Sequence, residues 1–229
     1  MKYTYLLINF FSIIVPFIFS FHPAIQFHKR WNAFIPANLI TAILFLVWDE
    51  VFTSAGVWGF NPRYITGVYF LNLPVEEILF FICIPYACVF TYHVFSTHLK
   101  LESVIRYVRP VRIVLPAILI IIALLNQEKI YTSVTFLFLS ILLLFFHFNN
   151  SRTWLDKAVL VYTVLLLPFF IVNGLLTGSM LSEPVVWYND SENLGIRLFT
   201  IPMEDIFYGM ALILLNIYLM ERIESLKKA

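Results

Sequence analysis

Residues 58–81 read WGFNPRYITGVYFLNLPVEEILFF, and residues 187–209 read WYNDSENLGIRLFTIPMEDIFYG. In gapless register Asn61 falls on Asn189, Gly67 on Gly195, Pro74 on Pro202, Glu76 on Glu204 and Glu77 on Asp205, a constant offset of 128 positions. Phe60 and Tyr188 correspond, as do Phe80 and Tyr208, whereas Trp58 and Trp187 match only with a one-residue shift. Self-similarity at a fixed spacing marks a duplicated structural unit. Each copy joins a polar loop to an apolar segment that opens with Pro-x-Glu-acid.

The rest of the chain supplies what surrounds those copies. Its 229 residues are 61% hydrophobic and 13% charged, with a mean hydropathy of +0.86, against about 45–50% and about 25% in soluble domains. Stretches near 3–21, 33–55, 74–95, 111–125, 131–148, 158–176 and 201–220 approach the roughly 20 apolar residues that cross a bilayer. The fourth is the shortest and carries Pro116. FIFSFHPAI, at the end of the first, offers no small-residue cleavage site, so that segment is expected to be a retained span. The expected fold is therefore all-α: a polytopic membrane protein of about seven helices, with a three-span repeat over 1–96, a connecting span over 97–130 and a second three-span repeat over 131–229.

Charge orients it. Lys2, Arg63, Lys129 and Arg197 lie on the side of the N-terminus, and the other 11 of the 15 basic residues lie opposite. The positive-inside rule puts the C-terminus in the cytoplasm and the N-terminus outside, as expected for a bacterial cytoplasmic membrane. Three spans, a connector and three spans make the repeats parallel, related by an axis along the membrane normal. Both acidic motifs then meet at the outer face, with the long loops 56–73 and 177–200.

Proline and acids at a helix start have an ordinary explanation in backbone geometry and the helix dipole. Duplication, and four carboxyls in a bundle poor in charge, favour a functional one. Glu76 shares a helix face with Phe80, and Glu204 with Tyr208, so Glu76 and Glu204 are expected to be the reactive carboxyls. Glu77 and Asp205, about 100° around the helix, would then be partners or tuning charges. Burial and the helix N-terminus act in opposite directions on such groups, and spacing does not rank them. A third pair, Asp49 and Glu50, has a position near Asn173 as its counterpart. It reads either as a buried pair held by Arg63 or a loop amide, or as a supporting base or orienting group. Asn61 and Asn189 are candidate supporting polar groups. Trp58, Phe80, Phe81, Trp187 and Tyr208 are candidate cavity rings able to stabilise a cation, although most of the 18% aromatic content suits lipid-facing surfaces.

Other chemistries lack their residues. A net charge of +1 offers no nucleic-acid footprint. Cys83 and Cys88 fall on different helix faces, the five histidines are scattered, and no metal site is expected. There is no GxGxxG for a nucleotide cofactor and no DDxxD for magnesium diphosphate, and the last span has no lysine for a retinal Schiff base. No cofactor is evident, while a flavin or nicotinamide requirement stays open. A proton-coupled transporter is the alternative class, and it would need polar residues along a path across the membrane.

LPVEEILFF and IPMEDIFYG, each behind an aromatic-Asn and Gly loop, resemble the paired motifs of the membrane-integral lycopene cyclases. WDEVFTSAGVWGFNP also resembles that family. The likeness runs over nearly the whole chain, in the order of the fused form of the two-subunit bacterial enzymes. It implies a redox-neutral cyclisation of the ψ ends of lycopene to β rings, giving γ-carotene and then β-carotene, with another carotenoid substrate or another ring type as variants. The implied substrate arrives from the lipid, and other enzymes of carotenoid synthesis are the expected neighbours.

Overall fold

The structure is a computed structural model that describes residues 1–149 and 152–228; Asn150, Ser151 and Ala229 of the second repeat, and the side chains of Arg152, Thr153 and Lys228, lie outside the described residues. Helix α1 is Thr4–Phe19, and after a single 3-10 turn at Phe27–Arg30 come α2, Trp31–Ser54, and α3, Val75–His98. Short α4, Glu102–Val108, leads into α5, Val111–Leu125, which together form the connector; α6, Ile130–Phe148, α7, Arg152–Leu176, and α8, Met203–Lys228, complete the chain. Among the described residues six segments are long and apolar enough to span a membrane, Glu102–Leu125 taken as one among them, which lengthens the expected fourth span. At 16 residues, or about 24 Å, α1 is shorter. Its first turn starts beneath a loop, where the Tyr5 amide donates to the Tyr64 carbonyl at 3.1 Å. Large apolar side chains such as Phe11, Ile43, Leu125, Ile141 and Leu167 cover the outside of the bundle. With helical backbone groups satisfied internally, that surface suits lipid, and the protein is an integral membrane protein.

The two halves repeat each other in detail. Tyr131 N–H donates to Glu192 O at 2.9 Å, as Tyr5 does to Tyr64, so α1 maps on α6 with an offset of 126 and the loops map with 128. The loops close as hairpins: β2 (Tyr69–Phe70) pairs with β3 (Leu73–Pro74), and β5 (Arg197–Leu198) with β6 (Ile201–Pro202). Each hairpin turns on a left-handed residue at the same repeat position, Leu71 (φ 55°) and Phe199 (φ 59°). Bulky side chains seldom adopt that conformation, so its recurrence is a property of the unit. Pro74 and Pro202 end these hairpins and hand directly to α3 and α8.

Between the halves, β1 (Trp58–Phe60) pairs antiparallel with β4 (Val186–Tyr188) in the register Trp58↔Tyr188, Gly59↔Trp187, Phe60↔Val186. Asn61 N–H donates to Val185 O and Asn189 N–H to Val57 O, both at 2.8 Å. These bonds exchange under the 128-residue offset, so a local two-fold axis passes between Gly59 and Trp187. The tryptophan match is thereby corrected: Trp187 is the equivalent of Gly59, and Trp58 of Val186. Equivalent residues that face each other at an axis cannot both be large. A Cβ on Gly59 would lie 2.4 Å from the Trp187 ring. Gly59→Val is expected to displace that indole and cost about 1–3 kcal/mol through overpacking, read as a lower thermal midpoint of the purified protein.

Around this axis α1 packs on α3 and α6 on α8, while α2 crosses to α8 and α3 to α7. Each repeat therefore completes the other's core. At the opposite end Arg30 binds Glu221 at 3.0 Å and also pairs with Glu224, clamping α2 to the tail of α8.

Candidate active site

At the loop-bearing end a cavity of about 280 Å³ opens between α1, α3, α7 and α8, roofed by β1 and β4. On α3 its wall runs from Glu77 to Thr91, 14 residues or about 21 Å of helix. Asp49, Glu77 and Asp205 stand at its head. Below them the wall is formed largely by apolar groups such as Ile84, Leu165, Phe169 and Leu212.

The acids sort differently from the expectation. Glu77 and Asp205 line the cavity, whereas Glu76 and Glu204, fully buried, turn away from it into the loops. Glu76 Oε1 accepts from the Thr66 amide at 2.6 Å, and Glu204 Oε1 from the Leu194 amide at 2.8 Å and from the Thr132 hydroxyl. These equivalent bonds staple each loop to the helix that follows and fix that helix's rotation. The second acid of each pair must then face the cavity. In both repeats the aromatic ring one turn deeper, Phe80 or Tyr208, is three residues from the cavity acid as well as four from the stapling acid, and it too lines the wall.

Tyrosines hold the cavity acids. Tyr5 donates to Glu77 Oε2, and its equivalent Tyr131 donates to Asp205 Oδ1. Asp205 Oδ2 also accepts from Tyr188 at 3.0 Å, whereas the position equivalent to Tyr188 is Phe60, so among the described residues Glu77 Oε1 has no partner. Burial, reinforced by the Asp205 charge, holds the Tyr188 phenol well above its ordinary pKa, keeping it a donor. Tyr5, Tyr131 and Tyr188 were not singled out in the sequence. For Tyr5 and Tyr131 the signal was a tyrosine in the first turn of the first span of each repeat, obscured because that helix follows the 126 offset and the loops 128.

Asp49 is buried, accepts from the Trp58 indole at 2.7 Å through Oδ1, and among the described residues leaves Oδ2 without a partner. Its companion is thus the loop tryptophan; Arg63 instead faces Glu183 at 3.8 Å. Asn173, its counterpart, also lines the cavity. Several other candidates stand off the wall. Glu50 binds Asn72 at 2.6 Å and anchors the first loop. Asn61 and Asn189 each cap a turn, accepting from the amides of Arg63 and Ser191. Phe81 packs in the core 6.2 Å from Phe45, and Trp187 covers Gly59 with much of its surface exposed. Trp58, Phe80 and Tyr208 do line the cavity, with Phe60, Tyr131 and Tyr188. Among the described residues no group of three His, Cys, Asp or Glu forms a metal site.

Paired acids under a largely aromatic roof, opening on an apolar trough inside a duplicated membrane bundle, narrow the choice of family. The family model described as Lycopene cyclase matches residues 2–95 and again residues 128–223. The chain belongs to the lycopene cyclase family. No curated protein and no solved structure matches it. Membership makes it an enzyme of carotenoid cyclisation with a carotenoid substrate, and the two matched segments are the two structural repeats.

Proposed function

We propose that the protein is a lycopene β-cyclase that closes the ψ ends of lycopene to β rings in one composite pocket, oriented with its N-terminus outside and its C-terminus in the cytoplasm. The observation that carries the reading is the convergence of Glu77 and Asp205, equivalent residues of the two repeats, on one cavity with Asp49. Two separate sites would need each acid to face its own pocket.

The trough accepts a polyene end from the lipid and brings its terminal alkene to the acids. Glu77, with one oxygen free of partners, donates the proton; the alkene π pair forms the new C–H bond and leaves a tertiary cation. An internal alkene of the same chain attacks that cation, closing the ring and moving the charge to a ring carbon. Asp49 Oδ2, which has no partner, removes the adjacent proton, and the C–H pair becomes the ring double bond. One proton enters and one leaves, so the reaction is an isomerisation. Asp205, held by two phenols, stays as a fixed charge beside the cation, and the faces of Phe80, Trp58 and Tyr208 add their quadrupoles in a dry site. No step draws on a metal, flavin or nicotinamide.

Expression in a lycopene-accumulating bacterium is expected to convert the pigment to products that co-chromatograph with γ- and β-carotene. Washed membranes with chelator and no added nucleotide should retain that activity. Unchanged lycopene despite verified insertion would sink the assignment, and ε-ring products would replace its ring type.

A further inference from the structure

The two-fold relation predicts a second trough. The cavity is built on α1, α3, α7 and α8, and the repeat maps these onto α6, α8, α2 and α3. For α7 and α2 the offset is 124, because Val57 N–H donates to Phe52 O at 3.0 Å where Val185 N–H donates to Leu176 O at 2.8 Å. Three small wall residues, Ser12, Val172 and Gly209, map onto Phe138, Trp48 and Phe81.

Those large rings occupy the mirrored space. Trp48 and Phe138 meet edge to face at 5.2 Å, and Phe45 packs on Phe138 at 6.0 Å and on Phe81 at 6.2 Å. Phe45 and Phe81 are fully buried in the process. Lower down, Tyr162 and Cys88 line the open trough, while their equivalents Asn38 and Asn216 join α2 to α8 with a hydrogen bond of 3.3 Å. One trough is open and its twin is filled.

We infer that Trp48, Phe81 and Phe138 form a plug that leaves each chain a single carotenoid-binding trough, so that one polyene end is held at a time. Resting on the cyclase reading, this deepens it: a two-ring product requires two entries, and the one-ring intermediate leaves the trough between them. The same cluster also backs a ring of the open trough, since Phe45 and Trp48 pack against Tyr208 at 5.1 and 5.2 Å.

The test is the number of carotenoid molecules, lycopene and its cyclised products counted together, retained by the purified full-length protein in lipid nanodiscs loaded with excess lycopene, measured by absorbance and mass after unbound pigment is washed away. Wild-type protein should hold one per chain. Transplanting the plug with Ser12→Phe and Val172→Trp should lower retention at least tenfold, and Trp48→Val with Phe138→Ser should raise it above one. Two molecules on the wild-type chain, or none, would overturn the inference even if every variant misfolded; so would full retention by a correctly inserted plug transplant. Conversion is assayed on the same sample. One bound lycopene that is never cyclised would refute the cyclase reading and leave the plug standing.

Discussion

Glu77→Gln is expected to reduce ring formation by at least about 100-fold, the scale lost when a positioned acid is removed, while Glu76→Gln in the neighbouring position retains most activity. The contrast follows from what each carboxyl touches. A glutamine at position 77 would still accept from Tyr5 through its amide oxygen, so the architecture survives, but it has no acidic proton to give. A glutamine at position 76 keeps an oxygen for the Thr66 amide, and its NH2 takes the place of an Oε2 that has no partner in the native site. The same pattern is expected in the second repeat. Asp205→Asn removes the charge beside the cation and loses a comparable share of the rate, whereas Glu204→Gln preserves the loop staple at Leu194. Pigment chromatography of washed membranes, normalised to inserted protein, reads all four. Equal losses in Glu76→Gln and Glu77→Gln would refute the assignment of roles, and half-activity in both Glu77→Gln and Asp205→Asn would point to two independent sites.

Why helix spacing pointed to Glu76 and Glu204, when Glu77 and Asp205 line the cavity, has a specific physical origin. Hydropathy places the spans because crossing lipid demands a long apolar run, and the helices observed fall close to those runs. The duplicated Pro-x-Glu-acid motif locates the site because both copies open a helix at the same face. Spacing along one helix, however, fixes only relative directions: Glu76 and Glu77 differ by about 100° whichever of them faces the cavity. Absolute rotation is set by the Thr66 and Leu194 amides, which come from loops whose path no hydrophobic period encodes. The ring at i+3 or i+4 could not decide, since Phe80 serves either acid. The axis was hidden for a similar reason. Trp58 and Trp187 look alike, yet pairing across the two-fold requires Gly59 opposite Trp187, a steric condition visible only once β1 and β4 are side by side. Asp49 was legible as a buried acid, but its tie to Trp58 spans a turn rather than a helical repeat.

Arg112→Ala is expected to destabilise the protein by about 3–5 kcal/mol, the cost of leaving one member of a buried ion pair alone. Arg112 on the connector binds Asp156 of α7 at 2.6 Å, and both side chains are nearly buried, at 10% and 6% exposure. Arg109, at 3.5 Å from the other Asp156 oxygen, is 64% exposed and a poor substitute. The pair ties the connecting span to the helix whose Leu165, Phe169, Val172 and Asn173 form one wall of the trough. Removing both charges is a different experiment from removing one. Asp156→Asn in the Arg112→Ala background takes away the stranded carboxylate and should recover most of the loss, because the penalty comes from the unpaired charge more than from the absent attraction. Reversible unfolding in mixed micelles, with all three variants compared in a double-mutant cycle, gives the coupling directly. Additive losses would mean that Asp156 finds enough solvent, or enough of Arg109, to stand alone, and that the connector holds α7 by apolar packing instead.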